Sequence, residues 1–139
     1  MILGFDSETG NKLWNQNVGE AVMATPASFG RQIFLNSLHR LHVLETNGEF
    51  ADVPVVSTYL SGGQTIASPA VSANFVYYGT TTGLRTRSFD FFTRANDSDA
   101  TGGVSSPAIS PEGIVYNVII EDGSGYLMAY PARAQPQVP

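Results

Sequence analysis

The chain has 139 residues, 42% hydrophobic and 14% charged: enough apolar material for one ordinary core, and too little charge for a solvating disordered segment. Seven Lys and Arg against twelve Asp and Glu leave a net charge of −5 and no basic cluster, so a nucleic-acid partner is not expected. Cysteine is absent, which removes disulfides, thiol chemistry and Cys-ligated zinc, and no apolar run approaches the roughly 20 residues of a membrane-spanning helix.

In chain order, the first element is the short apolar run "ILGFD" from Ile2. The opening "MILGFDSETG" has neither a basic n-region nor an h-region, so no export signal is expected within it. A turn follows, "DSETGN". In it the short side chains of Asp6 and Thr9 can bond backbone groups, and Gly10 permits positive φ. Lys12 to Trp14 begins a returning strand and carries the single Trp of the chain. Its ring is large and apolar with one N–H donor, which suits it to bridging two packed layers.

Three related phrases then recur: "ATPAS" at Ala24, "ASPAVS" at Ala67 and "SSPAIS" at Ser105. Their prolines, Pro26, Pro69 and Pro107, fall 43 and then 38 residues apart. After each comes a short turn and an apolar, aromatic-rich run: "QIFLNS" from Gln32, "FVYYGT" from Phe75 and "IVYNVI" from Ile114. Further runs follow these, "LHVLE" from Leu41, "LRTRSF" from Leu84 and "YLMAY" from Tyr126. The runs last about 4 to 6 residues, are rich in Val, Ile, Tyr and Phe, and are separated by Gly, Asn, Asp, Ser and Pro, the pattern of strands joined by tight antiparallel turns. Proline at a strand start removes a ladder donor where little is lost. No stretch of ten or more residues shows helical periodicity.

The expected fold is therefore all-β, with repeating units of four antiparallel strands. A unit of about 40 residues matches a β-propeller blade. An immunoglobulin-like sandwich is the competing all-β reading, and it does not predict three spaced copies of one phrase. The expected division is a partial blade over 1–17, blades over 18–58 and 59–95, a partial blade over 96–131, and a linker or disordered tail over 132–139. That makes about three to three and a half blades, an incomplete ring where closed propellers have 4 to 8.

"GFDSETGNKLW", from Gly4 to Trp14, resembles the tryptophan-docking motif of the quinoprotein-type repeat found in pyrroloquinoline quinone (PQQ) dehydrogenases and related propellers. Asp6, Thr9, Gly10 and Trp14 match that pattern, while Gly4 stands for its Ala and Asn11 for its Lys. "SPAV" followed by "VYYGT" is also typical of these repeats. "LETNGEF" looks like a degenerate second copy with Phe50 in the Trp position, and "SFDFFTR" is a fainter third. The resemblance implies a structural role for the motif, with the ring wedged against the neighbouring blade, and an extracytoplasmic setting. It also implies a non-catalytic scaffold that binds a protein partner or self-associates, either as a homo-oligomer or as a fragment of a longer chain. The alternative it offers is a segment of a PQQ-dependent alcohol or sugar dehydrogenase. PQQ and calcium belong to that alternative only, and the vicinal cysteine pair common in those enzymes is missing.

Other chemistry-bearing groups are sparse. Asp97 and Asp99 in "NDSDATGG" are weak candidates for calcium, because the closing Glu of an EF-hand would fall on Ala108. His39 and His42 are the only histidines. On a strand a spacing of three sends them to opposite faces, and surface or turn positions are expected for both. No G-x-S-x-G elbow and no H-E-x-x-H pair occurs, and "SGGQT" and "TGGVSS" are glycine turns without the Lys of a phosphate loop. No catalytic residue is expected.

Overall fold

The computed structural model describes residues 1–45, 54–72, 74–89, 94–96 and 105–131. Their regular structure is all β, in four antiparallel sheets, none of which closes on itself. The first sheet is the hairpin β1 (Ile2–Phe5) and β2 (Lys12–Gln16). The second runs in chain order through β3 (Ala27–Phe29), β4 (Gln32–Asn36), β5 (Arg40–Glu45) and β6 (Val55–Leu60). The third repeats that meander with β7 (Ala70–Ser72), β8 (Phe75–Thr80), β9 (Gly83–Ser88) and β10 (Arg94–Asn96). The fourth has β11 (Ala108–Ile109), β12 (Ile114–Glu121) and β13 (Ser124–Pro131). Phe50, Asp97, Asp99 and the tail over 132–139 lie outside the described residues. The strands β6 and β10 have no counterpart among the apolar runs read from the sequence, and β6 continues through Leu60, past the boundary expected at residue 58.

The sheets stack face against face in chain order, and side-chain alternation shows how. On β8, Val76 and Tyr78 point back to the second sheet and join Phe34, Leu41 and Val43 in one cluster. The alternate residues Phe75 and Tyr77 point forward and join Leu84 and Val115. Both faces of β8 are thus covered, which is why all six of its residues are buried and why it reads as a nearly continuous apolar run rather than an alternating one. The same holds at the front of the stack, where Trp14 packs with Leu35 and Leu44 between the first and second sheets. The first strands of the three repeats are neighbours along one edge, β3 beside β7 and β7 beside β11.

Local chemistry explains the opening hairpin. The Asp6 carboxylate accepts hydrogen bonds from the amides of Glu8 (3.0 Å) and Thr9 (2.7 Å) and from the Thr9 hydroxyl (2.9 Å). The Gly10 amide donates to the Asp6 carbonyl at 2.9 Å, with Gly10 at φ 71°. Glycine reaches that left-handed conformation without steric cost. Trp14 lies across the hairpin on its pairing partner Gly4. A Cβ on Gly4 would overlap the Trp14 indole, so the ring lies where only Gly leaves room for it. A one-residue register shift between Gly4 and Phe5 leaves Leu13 unmatched, and Leu13 packs against the Trp14, Leu35 and Leu44 cluster.

Candidate functional site

The repeated phrases come together along the edge formed by β3, β7 and β11. In each phrase the hydroxyl residue precedes proline: Thr25–Pro26, Ser68–Pro69 and Ser106–Pro107. The Thr25 amide donates to Ser68 Oγ at 2.9 Å, and the Ser68 amide donates to Ser106 Oγ at 2.9 Å. The result is a ladder with one rung between each pair of consecutive repeats, always running from the earlier amide to the later hydroxyl. Proline contributes by having no N–H and a fixed φ, so the residue before it is held extended and can face the next sheet. The first rung is reinforced nearby, where Asn36 Nδ2 donates to the Ala67 carbonyl at 2.8 Å.

The alanine after each proline pairs with an aromatic residue on the adjacent strand: Ala27 with Phe34, Ala70 with Tyr77, Ala108 with Tyr116. The small residue leaves room for the ring, and the ring covers the next sheet. Phe34 is 0% exposed and Tyr77 is 1% exposed, whereas Tyr116 is 37% exposed. Beside Tyr116 on the same face lie Val118, Ile120 and Leu127, all exposed.

At the opposite end of the stack, Ile2, Phe5, Trp14, Pro26, Ile33 and Leu35 line an apolar hollow of about 280 Å³. For comparison, a cavity of about 150 Å³ holds a benzene ring. Trp14 forms one wall of this hollow and is itself largely buried, so the ring supports the wall and leaves only part of itself for a ligand.

A polar network lies behind β5. The Ser37 hydroxyl meets Glu20 Oε2 at 2.7 Å and His42 Nε2 at 2.8 Å, while His42 Nδ1 meets Thr58 Oγ1 at 3.2 Å. Glu20 also accepts from the His39 amide (3.1 Å) and from Arg40 Nε (3.0 Å). A carboxylate can only accept, and at 2.7 Å Glu20 is closer than the Arg40 carbonyl at 3.3 Å, so Ser37 gives its one proton to Glu20. His42 Nε2–H then donates to Ser37, and His42 Nδ1 accepts from Thr58. The Ser37 hydroxyl holds Glu20 below the ordinary carboxylate value, with the His39 amide and Arg40 adding to it and burial opposing. Burial keeps His42 below its ordinary value, against the Glu20 charge and with help from Arg40. A serine beside a histidine suggests nucleophilic catalysis, but here Ser37 is 0% exposed and its proton is directed to Glu20, away from the imidazole. The network fastens the turn over residues 37–40 to the segment around Glu20.

The surface or turn position expected for His42 is therefore wrong: it is 1% exposed, on a strand covered on both faces. The signal was present in "LHVLE", where apolar residues at consecutive positions mark a strand with no solvent face. His39 does lie in the turn, and it is exposed. Arg85 and Arg87, in "LRTRS", are buried for the same reason. Arg87 lies over the Tyr59 ring, 5.2 Å from its centroid, and donates to the Leu60 carbonyl at 3.1 Å. Among the described residues, no three His, Asp or Glu side chains gather as a metal site would require, and no helix is long and apolar enough to cross a membrane. Compared with protein-family models and with curated proteins, the chain matches none.

Proposed function

We propose that the chain is a run of propeller-type blades of the quinoprotein-like kind, acting outside the cytoplasm as a non-catalytic scaffold for binding or assembly. The observation that carries this reading is the ladder through Thr25, Ser68 and Ser106, in which the repeated phrase is spent on joining sheets. A propeller needs such a device, since its blades are separate sheets whose innermost strands must be held side by side around an axis. Trp14, packed on Gly4 and against Leu35 and Leu44, supports the wedge role of the docking motif. The ring is completed by further repeats of a longer chain or by other copies. Loops at one end of the blades are the binding surface, because loops on a rigid frame are free to vary.

Titration with PQQ in the presence of calcium, followed by absorbance, tests this reading. The expected result is no saturable change. A stoichiometric complex would instead assign the chain to a PQQ-dependent alcohol or sugar dehydrogenase.

A further inference from the structure

The ladder has a direction and two open ends. Ser106 accepts from Ser68, yet among the described residues its own amide reaches no hydroxyl of a following repeat. Thr25 donates to Ser68, and its hydroxyl, which stands where Ser68 Oγ and Ser106 Oγ accept, receives no rung from any described residue. An unused donor thus sits at the last sheet and an unused acceptor at the second. The apolar surfaces are divided in the same way. Next to the donor end, β12 and β13 present Tyr116, Val118, Ile120 and Leu127, at 37%, 42%, 55% and 69% exposure. Next to the acceptor end, Pro26 joins Trp14 and Leu35 in lining the 280 Å³ hollow.

We propose that these two ends bind each other between copies of the chain, head to tail. The Ser106 amide of one copy donates to the Thr25 hydroxyl of the next, and Tyr116 and its neighbours fill the hollow beside Pro26. The occupant is a second copy because the chain itself carries both halves: a donor with an apolar face, and an acceptor with an apolar recess. The new contact would continue a sheet-to-sheet interface already formed twice within the chain. Its direction is fixed by the ladder. Two donor ends placed together would leave both amides without acceptors, so a two-fold pairing of the β12–β13 faces cannot extend it. Contacts of this heterologous kind make rings if the rotation closes and open chains if it does not. This rests on the scaffold reading only in taking the repeat edge as a surface for assembly. PQQ binding would defeat that reading without affecting the present one.

Sedimentation velocity on three proteins over a wide concentration range provides the test. Unaltered chain is expected to associate reversibly, with mass rising with concentration. Leu127→Lys removes one end and Leu3→Lys, on the rim of the hollow, removes the other. Both positions are exposed, at 69% and 42%, so circular dichroism should show an unchanged fold. Each variant alone should be monomeric. Mixed, they should form a 1:1 pair that grows no further, since each still has the end the other lacks. Thr25→Val should weaken association of the otherwise unaltered chain by about tenfold, in line with the loss of one interfacial hydrogen bond. A monomeric unaltered chain, a Leu3→Lys variant that still dimerises, or a mixture that stays monomeric would each overturn the proposal. An unchanged Thr25→Val protein would overturn the ladder contact.

Discussion

Tyr77 and Tyr116 occupy the same place in successive repeats, each opposite the alanine that follows a proline. Tyr77 is 1% exposed, in a sheet covered on both sides, while Tyr116 is 37% exposed, in a sheet that the described residues cover on one. The two strands that carry them, "FVYYGT" and "IVYNVI", are alike in composition. Their difference comes from the neighbouring sheet alone. A repeat cannot bury both faces by itself, so its stability is shared with whatever packs against it.

The sharpest way to separate the two regions is to truncate both rings. Tyr77→Ala should cost about 3–5 kcal/mol, the usual cost of emptying a buried aromatic site. Tyr116→Ala should stay within about 1 kcal/mol, since little packing is lost. Urea denaturation of the isolated chain measures both, and equal losses would mean that the outer face is covered. The next largest effect is expected in the first hairpin. Gly4→Ala would bring a methyl group against the Trp14 ring, at a cost of about 1–3 kcal/mol for overpacking, and Trp14 fluorescence would report the displaced indole.

Smaller effects separate the inner rungs of the ladder from its open end. Ser68→Ala removes the acceptor of the Thr25 amide and should cost about 1 kcal/mol. Thr25→Val should leave the stability of the monomer nearly unchanged, because among the described residues no rung reaches its hydroxyl. A loss equal to that of Ser68→Ala would show that the Thr25 hydroxyl is already engaged.

The gentlest perturbation is acid, and it should act on the second sheet before the first. His42 is held below its ordinary value of 6.5, mainly by burial. As pH falls through 6.5 the unfolded chain takes up a proton that the folded chain resists, so stability is full above that value and declines below it. Glu20 and Asp6, held below 4.5 and 3.8, lose their contributions only in stronger acid, as pH falls from those values through the lower folded ones. The denaturation midpoint should therefore fall in two stages. His42→Gln should abolish the first stage and keep the second. A single decline confined to strong acid would show that His42 does not titrate in this way.

Much of this architecture was legible in the one-dimensional pattern. Short β-branched and aromatic runs between turn residues specify strands, and the Asp6–Thr9–Gly10 turn closes with bonds its own side chains supply. Those effects are local, so neighbours in sequence suffice to predict them. The strand β10 is not legible in "RAN", three residues ordered by pairing with β9, whereas "VVSTYL" is rich in the β-favouring Val, Thr and Tyr and lies outside the repeated pattern of runs, its place beside β5 being set by pairing.

By itself the sequence determined the strand-rich units, their repetition at Pro26, Pro69 and Pro107, and the glycine-permitted turns. Only the tertiary structure decided that His42 is buried, that Gly4 must make room for an indole, and that Thr25, Ser68 and Ser106 form one ladder. It also decided which of two similar tyrosines is covered. The reason is physical: a strand's periodicity shows that its residues alternate between two faces, but burial depends on the sheet that lies against each face, and that sheet comes from residues some forty positions away.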